Sequence, residues 1–223
     1  MIIRSTCHLL DFILSNEKYY DFLNSHGFIL NNQRFSIDEV RKLMKYFLYT
    51  KVILTKQFVL DEVEKVKRQL NWTNYFVIGL QIRTGRLKRD DVPSFFIRRD
   101  DISYFVTKAK EVTQQMESKQ RKPVRWFVAC DNLSDKEMIR ADNPHRVFVT
   151  GCPIVHSFVD MYNEAQTSSM LCTLIDNYLL SSTQYAILTA KSTYGLLAMA
   201  RTMDLPKIQV RQGAWKQYSQ KHN

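Results

Sequence analysis

YFVIGLQIRTG, residues 75–85, is the stretch whose reading decides the fold. Phe76, Val77, Ile78, Leu80 and Ile82 form a near-continuous apolar run, with Trp72 just ahead of it. A strand covered on both faces is apolar on both sides, whereas a half-exposed strand alternates. The run therefore predicts an interior strand of a parallel sheet. Gln81 and Arg83 interrupt it at its carboxyl end. In open α/β sheets ligands lie beyond the carboxyl ends of the strands. A guanidinium there can hold a phosphate through two parallel hydrogen bonds. The simpler reading of Arg83 is a side chain that leaves the sheet for solvent.

Downstream, strand and helix patterns alternate. A basic loop over 84–100 leads to a helix over 101–118, with Ile102, Phe105, Val106, Ala109, Val112 and Met116 on its inner side. A strand over 124–130 follows Pro123 and precedes Asp131. Ser134 is expected to cap a short helix over 136–140. The pattern then predicts a strand over 146–149, a loop GCPIVHS, a helix over 168–180 and a strand over 185–188. Ser192 is expected to cap a helix reaching Met203. A short strand over 207–210 precedes a polar, basic tail, read as a solvated face. Such alternation argues a parallel sheet with helices on both faces. Upstream, residues 1–73 read as a helical region that is not a complete second domain. Ser36-Ile-Asp-Glu39 is a capping box. Val40, Leu43, Met44, Phe47 and Leu48 form one apolar stripe after it. Val59, Val63, Val66 and Leu70 form another, on a helix over 57–70. Residues 74–223 are left as one Rossmann-like domain, for an α/β fold overall.

The 223 residues suffice for one sizeable core, or one domain with an appendage. No segment approaches the roughly 18 uninterrupted apolar residues of a membrane span. The N-terminus, MIIRSTCHLLDFIL, makes a poor signal peptide, because His8 and Asp11 break its apolar run. The chain as given thus reads as cytosolic, or as a fragment lacking its leader. Thirty-two Lys and Arg against 22 Asp and Glu give a net charge of +10. A basic balance attracts nucleotides and other polyanions, but the aromatics form no RNA-binding submotif with the basic residues. Nucleic acid is therefore not the expected partner. The four cysteines show no zinc-ligand spacing, and Cys130 and Cys172 read as small core residues. Two glycosylation sequons occur, Asn71-Trp-Thr73 and Asn132-Leu-Ser134; they matter only on the secretory route.

A second candidate wall for the Arg83 site lies in 174–200. Thr189-Ala190-Lys191-Ser192-Thr193 joins a strand to a helix. The free amides of that helix's first turn, with the hydroxyls of Ser192 and Thr193, suit a phosphate; a plain cap is the simpler reading. Asp176 sits among apolar neighbours on the preceding helix. A carboxylate there is costly without a donor. A guanine edge is one such donor, and an ordinary salt bridge is another.

Taken together these residues resemble a known family. Gly79-Leu80-Gln81-Ile82-Arg83 is similar to the first shared motif of the fucosyltransferases that make α1,2-, α1,6- and protein O-linked fucose. Those enzymes then place an Asp on a helix, a Leu-Ser, a strand, and a Ser sixteen residues after the Asp. Asp176, Leu180-Ser181, Tyr185 to Leu188 and Ser192 follow that order and spacing. The resemblance covers about residues 57–205. It implies the C-terminal, donor-binding half of a GT-B glycosyltransferase. It also implies inverting transfer of fucose from GDP-fucose to a glycan or protein hydroxyl, with no metal and no cofactor. Arg83 would bind the β-phosphate and stabilise the leaving group, Gln81 and Asp176 would hold guanine, and Ser192 and Thr193 would bind the phosphates. Asp91, eight positions after Arg83, would be the base. The family works in the Golgi or endoplasmic reticulum. The chain departs from the pattern at Thr84, where the α1,6 enzymes have a second arginine, and at Ala190-Lys191 in the phosphate turn. Related enzymes also have two Rossmann-like domains, of which only the second is evident here. An inactive or truncated nucleotide-sugar-binding relative is the alternative, and a basic α/β module binding nucleic acid or protein is the third reading.

Overall fold

The computed structural model describes residues 55–85, 96–119, 122–151, 165–202 and 206–222. Helix α1 spans Gln57–Gln69 and leads through a 3-10 turn, Trp72–Asn74, into strand β1, Phe76–Ile82. Helix α2, Asp101–Lys119, precedes β2, Val124–Cys130. Helix α3, Leu133–Asp142, precedes the short β3, Val147–Phe148. Helix α4, Ala165–Ser181, β4, Tyr185–Thr189, and helix α5, Thr193–Ala200, come next. Strand β5, Lys207–Val210, and helix α6, Ala214–His222, close the order.

The five strands form one sheet in the order β3-β2-β1-β4-β5, and every pairing is parallel. Strand β1 lies at its centre, paired to β2 on one side and β4 on the other. All seven of its residues are buried, Gln81 included, as the near-continuous apolar run predicts. Strand alternation sends Phe76, Ile78, Leu80 and Ile82 into a core closed by Ile102, Phe105, Ala109 and Val112 of α2. Val77 enters a second core with Val63 of α1, Leu179 and Leu180 of α4, and Ala198 of α5. Helices thus cover both faces, and the fold is α/β, Rossmann-like and doubly wound. Gly79 lies against the end of α4 and the turn that follows it. A Cβ there would lie 2.6 Å from Leu180 Cδ1 and 2.9 Å from Thr183 Cγ2.

Residues Thr55–Met199 with Asp204–Asn223 form one compact unit. That unit holds the sheet, α1 and the other helices, except Ala200 at the end of α5. The capping box at Ser36, the apolar stripe that follows it and the loop GCPIVHS after Gly151 lie outside the described residues. Three expectations change. Asn132, not Ser134, caps α3, its Oδ1 accepting from Asp135 N at 3.1 Å. The polar tail is a helix packed on α2. Cys172 is disulfide-bonded rather than a small core thiol, whereas Cys130 is free. Among the described residues no helix is long and apolar enough to cross a membrane.

Candidate functional site

After β1 the chain builds outward to β2 and β3, then crosses back to add β4 on β1's other side. The order therefore reverses between β1 and β4. A crevice opens beyond the carboxyl ends of two such strands because their connections leave to opposite faces. Arg83 follows β1, and the turn Ala190 to Ser192 follows β4.

Thr189 joins the two strand ends. Its Oγ1 accepts from Arg83 N at 2.9 Å and donates to Gln81 O at 3.1 Å. Gln81, 3% exposed, lies under the start of α5, and its Nε2 donates to Ser192 Oγ at 3.1 Å. Gln81 Oε1 is buried without a hydrogen-bond partner. It fits because residue 195 is glycine: a Cβ there would lie 2.7 Å from that oxygen. Ser192 is fully buried, and its carbonyl accepts from Leu196 N as α5 begins. Lys191, just before it, takes a left-handed φ of 62° and is exposed, as is Thr193.

The Arg83 guanidinium lies over the Phe96 ring, 4.7 Å from its centroid. Its Nε is buried without a hydrogen-bond partner. The turn after Arg83 is held from β2. Asp131 Oδ1 accepts from Thr84 N at 2.8 Å and from Thr84 Oγ1 at 3.0 Å, and Oδ2 accepts from Gly85 N at 2.9 Å. Asp131 N in turn donates to Ile82 O. One carboxylate thus fixes both residues that follow the arginine.

Asp176 on α4 faces the other flank. Thr150, just beyond β3, donates through Oγ1 to Asp176 Oδ1 at 2.6 Å. Buried Lys136 reaches Thr150 O at 3.5 Å. Burial raises the Asp176 carboxyl above its ordinary range, while the Thr150 hydrogen bond and the Lys136 charge act in the opposite direction. Asn177, the next residue, donates through Nδ2 to Tyr194 O at 2.8 Å, and Tyr194 OH donates to Thr173 O at 3.0 Å. These two bonds tie α4 to α5.

The structure thus brings Gln81 against Ser192 and anchors Arg83 beside them through Thr189. Asp176 contacts Thr150 instead, and Thr193 sits at the exposed start of α5. Asp91 lies outside the described residues. Sequence reading missed Asp131, Thr150, Lys136 and Phe96. Asp131 and Thr150 carried a usable signal, since each is polar and lies at the carboxyl end of an apolar strand. Nothing local marked Phe96 or Lys136.

No protein-family model matches the sequence, and neither does any curated protein. Among solved structures, the fold is similar to NodZ α-1,6-fucosyltransferase co-crystallised with GDP, at 16% identity and a TM-score of 0.45, over 64% of this chain and 41% of that one. It is similar to NodZ α-1,6-fucosyltransferase soaked with GDP-fucose, at 17% identity and a TM-score of 0.46, over 69% of this chain and 44% of that one. It is also similar to fucosyltransferase NodZ from Bradyrhizobium, at 15% identity and a TM-score of 0.44, over 64% and 41%. The chain spans less than half the length of these structures.

Proposed function

We propose that this chain is the donor-binding half of an inverting, metal-independent glycosyltransferase that moves fucose from GDP-fucose to a glycan or protein hydroxyl. One observation carries the reading. The motif arginine and the motif serine flank the point where the sheet order reverses, with Gln81 bridging to Ser192 at 3.1 Å. That is where the topology of an open α/β sheet favours a nucleotide.

In this reading Arg83 holds the β-phosphate and takes up charge as the sugar departs, acting from a fixed backbone rather than a mobile loop. Preorganised positive groups lower a barrier because they need no reorganisation when charge develops. The first-turn amides of α5 and the Thr193 hydroxyl take the other phosphate oxygens. Buried Ser192, with Gln81 beneath it, sets the pitch of that turn, and through it Gln81 shapes the guanine side. Asp176 accepts from guanine N1–H and its amino group; two such donors offset the cost of keeping a carboxylate ionised there. Asp91 is the base for the acceptor hydroxyl. Transfer inverts the anomeric centre through an oxocarbenium-like transition state.

A thermal-shift and calorimetric titration with GDP and UDP tests the reading. GDP at about 100 times its Kd should stabilise the protein by ~2.7 kcal/mol. UDP should be at least tenfold weaker. Arg83→Ala should abolish GDP binding and any transfer. Equal affinity for GDP and UDP would remove Asp176 from base recognition, and undiminished GDP affinity in Arg83→Ala would reject the phosphate site. GDP binding without transfer would favour the second reading, a nucleotide-sugar-binding relative.

A further inference from the structure

We infer that Asn71 carries an N-linked glycan and that Asn132 does not. Two observations converge on it. The first is Cys172, which is disulfide-bonded on helix α4. Structural disulfides form and persist in oxidising compartments, and the secretory route is where Asn-X-Ser/Thr tripeptides are modified. The second is the difference in how the fold treats the two sequons.

Asn71 follows α1 in a left-handed conformation, φ 50° and ψ 41°, which asparagine adopts more readily than most residues. Its backbone is satisfied by the turn: Asn71 N donates to Arg68 O, and Asn71 O accepts from Asn74 N. Its side chain makes no capping hydrogen bond and is exposed, and so is Thr73, which supplies the sequon hydroxyl. Only Trp72 between them turns inward, 4% exposed, against Phe127 and Phe148. The turn enters β1 at its amino end. A glycan there would project from the pole opposite Arg83 and leave the nucleotide crevice open.

Asn132 is committed elsewhere. Its Oδ1 accepts from Asp135 N at 3.1 Å and from Ser134 Oγ at 2.7 Å. The hydroxyl of this sequon is thus held by the sequon's own asparagine. The residue directly follows Asp131, which clamps the turn after Arg83. Modification would place a bulky sugar at the crevice rim.

The modification joins Asn71 Nδ2 to the anomeric carbon of a lipid-diphosphate-linked oligosaccharide. The nitrogen loses one proton, the sugar–phosphate C–O bond breaks, and the lipid diphosphate leaves with the electron pair.

The test is peptide mapping of the intact protein isolated from its own cells, with peptide-N-glycosidase digestion in isotope-labelled water. Asn71 should be recovered as labelled aspartate and Asn132 as asparagine. Cys172 should be alkylated only after reduction. Digestion should increase gel mobility. Thr73→Ala and Asn71→Gln should each remove that shift, and Asn132→Gln should leave it. Thr73→Ala is the cleaner variant, because glutamine at a positive φ adds backbone strain. An unmodified Asn71 peptide, a glycan on Asn132, or a freely alkylated Cys172 in the native protein overturns the inference. None of these outcomes depends on nucleotide binding.

Discussion

Asp131, just beyond β2, and Asp176, which meets Thr150 just beyond β3, are both carboxylates near the carboxyl ends of the strands, yet their surroundings set them opposite tasks. Asp131 is fully engaged by the fold, with Thr84 N, Thr84 Oγ1 and Gly85 N all donating to it. Asp131→Ala strands two backbone amides beside the site. Leaving such groups unpaired costs on the order of 1–3 kcal/mol each when buried. Denaturant unfolding should register a loss in that range, and GDP affinity should fall at least tenfold because the Arg83 turn loosens. An Asp131→Ala protein that binds GDP normally would mean the clamp does not position Arg83. Asp176 accepts one hydrogen bond, from Thr150, and burial raises its carboxyl above the usual range. A raised folded-state value means the folded protein holds the proton more tightly than the unfolded chain. This contribution to stability is full below the unfolded-state value and is lost as pH rises through the folded-state one. At neutral pH the ionised side chain therefore weakens the fold. Asparagine keeps the oxygen that Thr150 needs and removes the ionisation. Asp176→Asn should melt at or above the wild-type temperature at pH 7, and the advantage should vanish as pH falls below the carboxylate range. The same change should weaken GDP binding at least tenfold while leaving UDP binding nearly unaltered. A variant that melts lower at pH 7 would show that attraction to the Lys136 charge outweighs the cost of burial.

At the scale of elements, the C-terminal helix shows what a linear reading can and cannot see. Asp101, 1% exposed at the start of α2, accepts from Arg98 N at 3.0 Å, Gly213 N at 2.9 Å and Trp215 N at 3.0 Å. One side chain thus holds the turn before α2 and seats the start of α6. Tyr218 then stacks near Trp215, meets Tyr104 edge-on and lies under Lys108 Nζ, 4.9 Å from its ring centroid. Asp101→Ala should destabilise the protein by on the order of 3 kcal/mol. Amide exchange should become fast across Ala214–His222 while β1 and β2 stay protected. Unchanged protection in α6 would show that its aromatic contacts suffice alone. None of this could be read from 211–222, whose composition is polar and whose anchor lies more than a hundred residues upstream. The strands were legible for the opposite reason. Burial on both faces leaves a compositional mark within the segment itself, and β2 was expected over the residues it occupies, Val124–Cys130. The α3 cap slipped from Asn132 to Ser134 because both residue types cap well, and only geometry decides between neighbours. In the site, Gln81, Arg83 and Ser192 were legible as polar interruptions at strand ends and helix starts. That Gln81 lies beneath Ser192 depends on strand order and on Gly195. The Cys172 disulfide was invisible for the same reason, since pairing is a matter of distance across the fold.

For the whole molecule, the proposed function gives the net charge of +10 and the local site separable contributions to nucleotide binding. The long-range field raises the encounter rate of any diphosphate, and mobile ions screen it. The screening length falls from roughly 10 Å at 0.1 M salt to about 3 Å at 1 M. GDP and UDP carry the same phosphates, so this term acts on both alike. In the proposed reading, preference for guanine rests instead on Asp176, which is held by a short hydrogen bond from Thr150 and partly shielded from solvent. Raising the salt should therefore weaken GDP and UDP by the same factor, chiefly through slower association, and leave their affinity ratio unchanged. Stopped-flow association rates and calorimetric affinities over that salt range check both parts. If the ratio collapses toward one as salt rises, discrimination arises from exposed charge rather than from the crevice. A basic surface would then be selecting the ligand, with the paired ends of β1 and β4 serving only as scaffold.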